Sequence, residues 1–166
     1  MLKVLGHEPL YLRTDRELKD YLDEIFAEDR AGSYFNAHVQ VVTGETEDVD
    51  NLLAIGLDYD SGYGALSWHC TGKIEERVNS VAGADMANYV WVSWNPVPPE
   101  VDPEIVSDPW SPSYFNRVSA IPLSDVRSAV EEYYREGSGF RPSAVQWVKG
   151  NFTGELLDEG TENRQL

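Results

Sequence analysis

Over residues 35–42 apolar and polar side chains alternate, with Phe35, Ala37, Val39 and Val41 on one side and Asn36, His38 and Gln40 on the other. A period of two marks a strand with one face on a core. A slip of one residue would turn that whole apolar set toward water, so the pattern fixes which face is inward. It recurs. Residues 52–57 and 63–68 are further runs, joined by Asp58-Tyr59-Asp60-Ser61-Gly62, which has the Asp and Gly content of a hairpin turn. Residues 88–94 form a fourth, with Tyr89, Trp91 and Ser93 opposed to Val90, Val92 and Trp94, and Asn95-Pro96 ends it. Residues 117–121 and 144–148 are shorter candidates. Consecutive strands with short connections predict an antiparallel sheet.

Helical periodicity flanks these strands. Residues 14–29 begin with a capping box, Thr14 followed three positions later by Glu17, and place Leu18, Tyr21, Leu22, Ile25 and Phe26 on one face. Residues 124–136 place Val126, Ala129, Val130, Tyr133 and Tyr134 together, with Pro122 before and Gly137 after. The fold class expected is α+β, a single antiparallel sheet with an N-terminal and a C-terminal helix packed on it. At 166 residues the chain suits one domain with a full core. That domain is expected over residues 1–154, with a frayed tail at 155–166.

The charge is regional. Residues 31–116 carry thirteen Asp and Glu against Lys73 and Arg77, a net −11 of the total −16. Such a field repels nucleic acid and anionic membrane and attracts a basic partner. Acidity also serves plain solubility, but its concentration in one region favours an interaction. Composition argues against an acidic disordered tail, since 42% of residues are hydrophobic and 11% aromatic. The single cysteine, Cys70, excludes an internal disulfide and suits a reducing compartment. No apolar run approaches the roughly 20 residues of a membrane helix, and residues 1–12 lack the form of a signal peptide. The expected location is the cytoplasm, where the sequon Asn151-Phe152-Thr153 has no role.

The motifs of catalysis and metal binding are incomplete. His69-Cys70 is one neighbouring pair without the spaced ligands zinc needs, and it reads as the end of a buried strand. Asp58-x-Asp60-x-Gly62 starts like a calcium loop, but glycine stands at the fifth position and His69 at the twelfth. Gly62-Tyr63-Gly64 lacks a third glycine and a following helix. Chance alone supplies carboxylate pairs in so acidic a chain. No catalytic residue, metal or cofactor is expected.

Residues 95–116 form a long Pro-rich loop, which proline can order without regular structure. Trp94, Trp110 and Tyr114 flank or occupy it among carboxylates. An aromatic centre with a charged rim is the composition of an interface anchor; packing beneath the loop is the alternative. The candidate partner-binding set is Asp58, Tyr59, Asp60, Trp94, Glu100, Asp102, Glu104, Asp108, Trp110 and Tyr114.

Two further segments carry a resemblance. Residues 121–137, Ile-Pro followed by an amphipathic helix and Gly137, then Phe140-Arg141-Pro142 and Trp147, are similar to the ending of a bacterial immunity-protein family. This is the first numbered family of such proteins, frequent in actinobacteria and found beside polymorphic toxins. Leu53-Ala54-Ile55-Gly56-Leu57, a glycine turn and Ala65-Leu66-Ser67-Trp68 also resemble it, and the likeness covers roughly residues 14–150. The resemblance implies a non-catalytic binder of a cognate toxin, many such toxins being deaminases acting on nucleic acid. It transfers no site residues, because binding residues vary with each toxin. A toxin with a basic groove would complement the acidic middle. The rival readings are a small hydrolase using a carboxylate pair and a generic acidic adaptor.

Overall fold

The computed structural model describes residues 1–6, 8–27, 34–42, 50–82, 86–111 and 113–157, without the side chains of Lys73 and Ala82. At its centre lie three long strands, β3 (Tyr34–Val41), β4 (Asn51–Asp58) and β5 (Tyr63–Cys70), paired antiparallel in the register that puts Val39, Leu53 and Trp68 side by side. The strands β1 (Leu2–Leu5) and β2 (Leu10–Leu12) extend the sheet beyond β3, and β6 (Val90–Trp94) and β10 (Gln146–Gly150) extend it beyond β5. The short β9 (Ile121–Pro122) pairs with the start of β5. Among the described residues these make one eight-stranded sheet, and β7 (Val106–Asp108) and β8 (Ser113–Tyr114) form a separate ribbon. The expected antiparallel sheet in an α+β fold is present.

Among the described residues three helices accompany the sheet: α1 (Asp15–Ile25), α2 (Lys73–Ala82) and α3 (Leu123–Glu136). Thr14 and Glu17 form the capping box, the hydroxyl accepting from the Glu17 N–H at 3.2 Å and the carboxylate from the Thr14 N–H at 2.9 Å. That carboxylate also accepts the Arg13 N–H, and these two bonds hold its pKa below the ordinary range. Helix α1 ends at Ile25 with Phe26 as cap, short of the expected end; Asp29 lies outside the described residues. Gly137 ends α3 in the left-handed conformation, φ 58°. Leu18, Leu22 and Ile25 of α1 and Val126, Ala129, Val130 and Tyr133 of α3 are buried in the same core as Val39, Leu53, Ile55, Leu66 and Trp68. Each large side chain so buried contributes about 1.5–3 kcal/mol before the entropic cost of folding.

One polar cluster lies inside this core. Asn51 Oδ1 accepts the Val41 N–H at 2.8 Å and the Tyr133 hydroxyl, and Asn51 Nδ2 donates to the Val41 carbonyl at 2.8 Å. Beside it Trp68 Nε1 donates to Gly139 O at 3.1 Å. A side chain on Gly139 would meet Asn51 and Ile74, and its φ of 76° also favours glycine. Burial drives the Tyr133 phenol well above its ordinary pKa, so it stays a neutral donor.

Some local expectations need correction. The strand expected at 117–121 is a 3-10 turn, Arg117–Ser119, capped by the Asn116 side chain, and only Ile121 and Pro122 pair as β9. Helix α2 and strands β1 and β2 were not foreseen. Of α2, Ile74 and Val78 enter the core, while Val81, on the same helical stripe, is exposed. Of the expected tail, residues 158–166 lie outside the described residues; Leu157 N–H bonds Lys149 O at 3.0 Å.

The expected outcome for Asn51→Ala is a loss of about 3 kcal/mol, because it strands Val41 N–H, Val41 O and the Tyr133 hydroxyl. Tyr133→Phe removes one of these bonds and should cost about 1 kcal/mol. Chemical denaturation of both variants measures the difference, and equal small losses would contradict the account.

Candidate protein interface

The face of the sheet opposite the helices carries the Pro-rich loop. Gly56 makes the contact possible: a Cβ there would stand 2.7 Å from the Val106 carbonyl oxygen and 3.0 Å from Ile105. Ile105 and Phe115 bury themselves with Ala65, Val92 and Ala120 in a second, smaller core. Polar bonds fasten the rest. Asn36 Nδ2 donates to Val106 O at 2.6 Å, Arg117 Nη1 to Pro99 O at 2.7 Å, and Asn95 Nδ2 to Ala120 O at 2.7 Å. The loop is therefore held in place by its backbone partners, with few regular elements of its own.

From Val106 the chain runs toward the β3 side of the sheet. Asp108 comes close enough to His38 to influence its ionisation, and Asp108 Oδ1 accepts the Trp110 N–H at 2.8 Å. The Trp110 indole is 94% exposed. It does not pack beneath its loop. A cleft of about 380 Å³ lies beside it, bordered by Leu5, Asn36, His38, Asp108 and Pro109 among others. Glu100, Asp102 and Glu104 are exposed on the preceding part of the loop. Glu104, φ 50°, is the non-glycine residue in the left-handed region among the described residues, and its N–H donates to Asp102 Oδ1 at 3.0 Å.

The candidate set is divided in space. Asp58 Oδ1 accepts the Asp60 N–H at 3.2 Å and shapes the hairpin turn, with Gly62 at φ 75°. Asp58 shares the outer face of β4 with Gly56, beneath the loop, whereas Tyr59 does not. Its hydroxyl donates to Ile25 O at 2.6 Å and its ring packs on the helix-side core, so Tyr59 serves the fold. Trp94, 38% exposed, lines another cleft of about 420 Å³ with Tyr63, Pro96, Val97, Pro122 and Asp125, which shares no bordering residue with the first. Tyr114 is 49% exposed on β8.

Two residues of this face were not foreseen. His38 borders the Trp110 cleft, and the half-exposed strand position gave its place only once the loop was located. Phe152, 67% exposed, sets its ring edge-on to His69 at 4.8 Å; an aromatic in the turn after β10 was the available signal. Both imidazoles are held below the ordinary range. Desolvation is the first cause in each, opposed by Asp108 at His38 and reinforced by His38 at His69. Cys70 is buried, and burial pushes its thiol up to about 11. Among the described residues no group of three or more His, Cys, Asp or Glu is arranged to hold a metal ion. No described helix is long and apolar enough to cross a membrane.

A family model described as "Immunity protein Imm1" matches residues 6–149. No curated protein and no solved structure matches the chain.

Trp110→Ala should change folding stability by no more than about 0.5 kcal/mol, since the indole buries almost nothing in the free protein; thermal and chemical denaturation measure this. The histidines give a pH dependence of definite sign. Their folded pKa values are depressed, so the unfolded chain binds more protons as the pH drops through the ordinary histidine range. Stability should fall from pH 7.5 to 5.5, and His69→Gln should flatten that fall in denaturant titrations at the two pH values.

Proposed function

The chain belongs to the Imm1 family of immunity proteins, and from that membership we propose that it neutralises a cognate nucleic-acid-targeting toxin of the deaminase type by binding it, without catalysis of its own. It acts in the cytoplasm of the cell that makes the toxin. The exposed Trp110 on the acidic loop is the observation that carries this reading. A fully hydrated indole beside Asp108 is an anchor whose burial would be gained only in a complex. The net −11 over residues 31–116 is the charge that a basic nucleic-acid groove would draw in.

The partner surface in this reading consists of Trp110, Asp108, Glu100, Asp102, Glu104 and Asp58, with Asp60 and Tyr114 at its margin. The Trp94 cleft lies apart and is left out of it. Tyr59 is left out because it is bound to Ile25. The rim carboxylates act before contact. They raise the encounter rate and lose that effect as salt screens them over about 8 Å at physiological ionic strength. The indole acts after contact, by filling a pocket.

Two measurements with the cognate toxin domain separate the parts. Reversal of Glu100, Asp102 and Glu104 to Lys should slow association at low salt, with the difference shrinking at high salt. Trp110→Ala should weaken binding by about 2 kcal/mol or more, seen mainly in faster dissociation. An unchanged association rate for the triple reversal would remove the acidic face from the mechanism. Failure of the wild-type chain to bind or inhibit that toxin would remove the proposed function.

A further inference from the structure

Among the described residues, half of the β3 edge beside the Trp110 cleft has no partner strand. The β1–β3 ladder ends with Leu5 opposite His38, whereas β3 begins four residues earlier, at Tyr34. After Leu5 the chain turns back into β2, which pairs on the far side of β1. Along an antiparallel ladder the hydrogen-bonding residues of one strand alternate between its two sides. Val42 N–H donates to Met1 O at 3.1 Å, so on β3 the even-numbered residues direct their backbone groups toward β1. Gln40 and His38 find partners there. Asn36 and Tyr34 meet no described strand on that side, while Phe35 and Ala37 pair with Leu57 and Ile55 of β4.

A second observation lies at the same place. Asn36 Nδ2 is used by the Val106 carbonyl, but Asn36 Oδ1 is buried and accepts no hydrogen bond. A buried acceptor left unmet carries a desolvation cost. Among the described residues the charged groups that border this edge are acidic. Asp108 borders the cleft, and Asp58 stands opposite Tyr34 on β4. The cation further along β1, Lys3, is buried and placed over the Tyr11 ring.

We infer that the β3 edge at Tyr34 and Asn36 receives an extended, basic segment of the toxin, which joins the sheet as an added strand. The inference rests on the proposed function and specifies its mode of contact. Main-chain bonds to Tyr34 and Asn36 supply the pairing. Lys or Arg side chains of the segment meet Asp58 and Asp108, and an apolar one packs on Pro109 and Trp110. A second copy of this chain is a poor occupant, because it would set one acidic surface against another.

Tyr34→Pro deletes the N–H on the open side and leaves the β4 ladder its bonds from Phe35 and Ala37. Tyr34→Ala keeps that N–H and removes only the side chain. With the toxin domain as ligand, Tyr34→Pro should weaken binding about tenfold relative to Tyr34→Ala, the loss of roughly one main-chain bond. If the proline variant proves less stable than the alanine one, amide exchange in the wild-type protein decides. Asn36 N–H should exchange faster than its neighbours Phe35 and Ala37 in the free protein and slow in the complex. Equal affinities of two equally stable variants, or unchanged Asn36 exchange on binding, would overturn the added strand while leaving the proposed function standing. Absence of any wild-type binding would overturn both. A homodimer that Tyr34→Pro dissolves would assign the edge to a second copy and overturn the inference.

Discussion

The satisfaction of Val41 by a side chain is the constraint on which the other packing depends. Strand β3 reaches Val41 where β4 is only beginning, and Asn51 closes the gap by offering a donor and an acceptor from its own amide. The same amide accepts the Tyr133 hydroxyl from α3, so the sheet register and the position of that helix are set together. Gly139 then brings the loop after α3 against Asn51, and its carbonyl takes the Trp68 indole N–H. In a dry interior these bonds are costly to lose singly and specify one arrangement.

The two faces of the sheet have different tasks. One is covered by helices and holds most of the apolar mass. The other is covered over part of its area by a loop whose bonds run mainly from side chains to backbone carbonyls. Gly56 lets that loop come within contact of the sheet, and Ile105 and Phe115 fasten it there. A loop so fixed can present Asp108 and Trp110 without order having to be gained on binding, which lowers the entropic cost of a complex. The cations are largely occupied elsewhere. Arg141 lies 4.1 Å from the Trp91 ring and 5.8 Å from Trp147, Lys149 stands over Tyr89, and Arg127 joins Asp23 of α1. Burial lowers the Arg141 pKa to about 10, leaving it charged at neutral pH.

Much of this architecture was legible because it rests on periodicity. The alternation in β3, the hairpin residues between β4 and β5, and the Thr14–Glu17 box are local signals that tertiary structure did not override. What escaped depends on few residues or on distant ones. Strands β1 and β2 are four and three residues long, and among the described side chains of α2 Ile74 and Val78 turn inward. Tyr59 was grouped with Asp58 and Asp60 by sequence, but consecutive residues leave a strand on opposite sides, and the α1 carbonyl that holds Tyr59 is 34 positions away. The separation of Trp94 from Trp110 depends in the same way on where the loop crosses the sheet. The regional charge was visible at once, because charge composition needs no folding to be read.

The exposure of Trp110 also has an optical consequence. Trp68, Trp91 and Trp147 each spend their indole N–H on a backbone carbonyl, and Trp94 is 38% exposed. Trp110 alone among the five indoles stands almost wholly in water, so it dominates the red part of the intrinsic emission. Neighbouring carboxylates would keep iodide away and admit caesium, which makes the sign of the quencher a reading of the local potential. The protein thus carries a built-in fluorophore at the surface where its partner is expected to arrive.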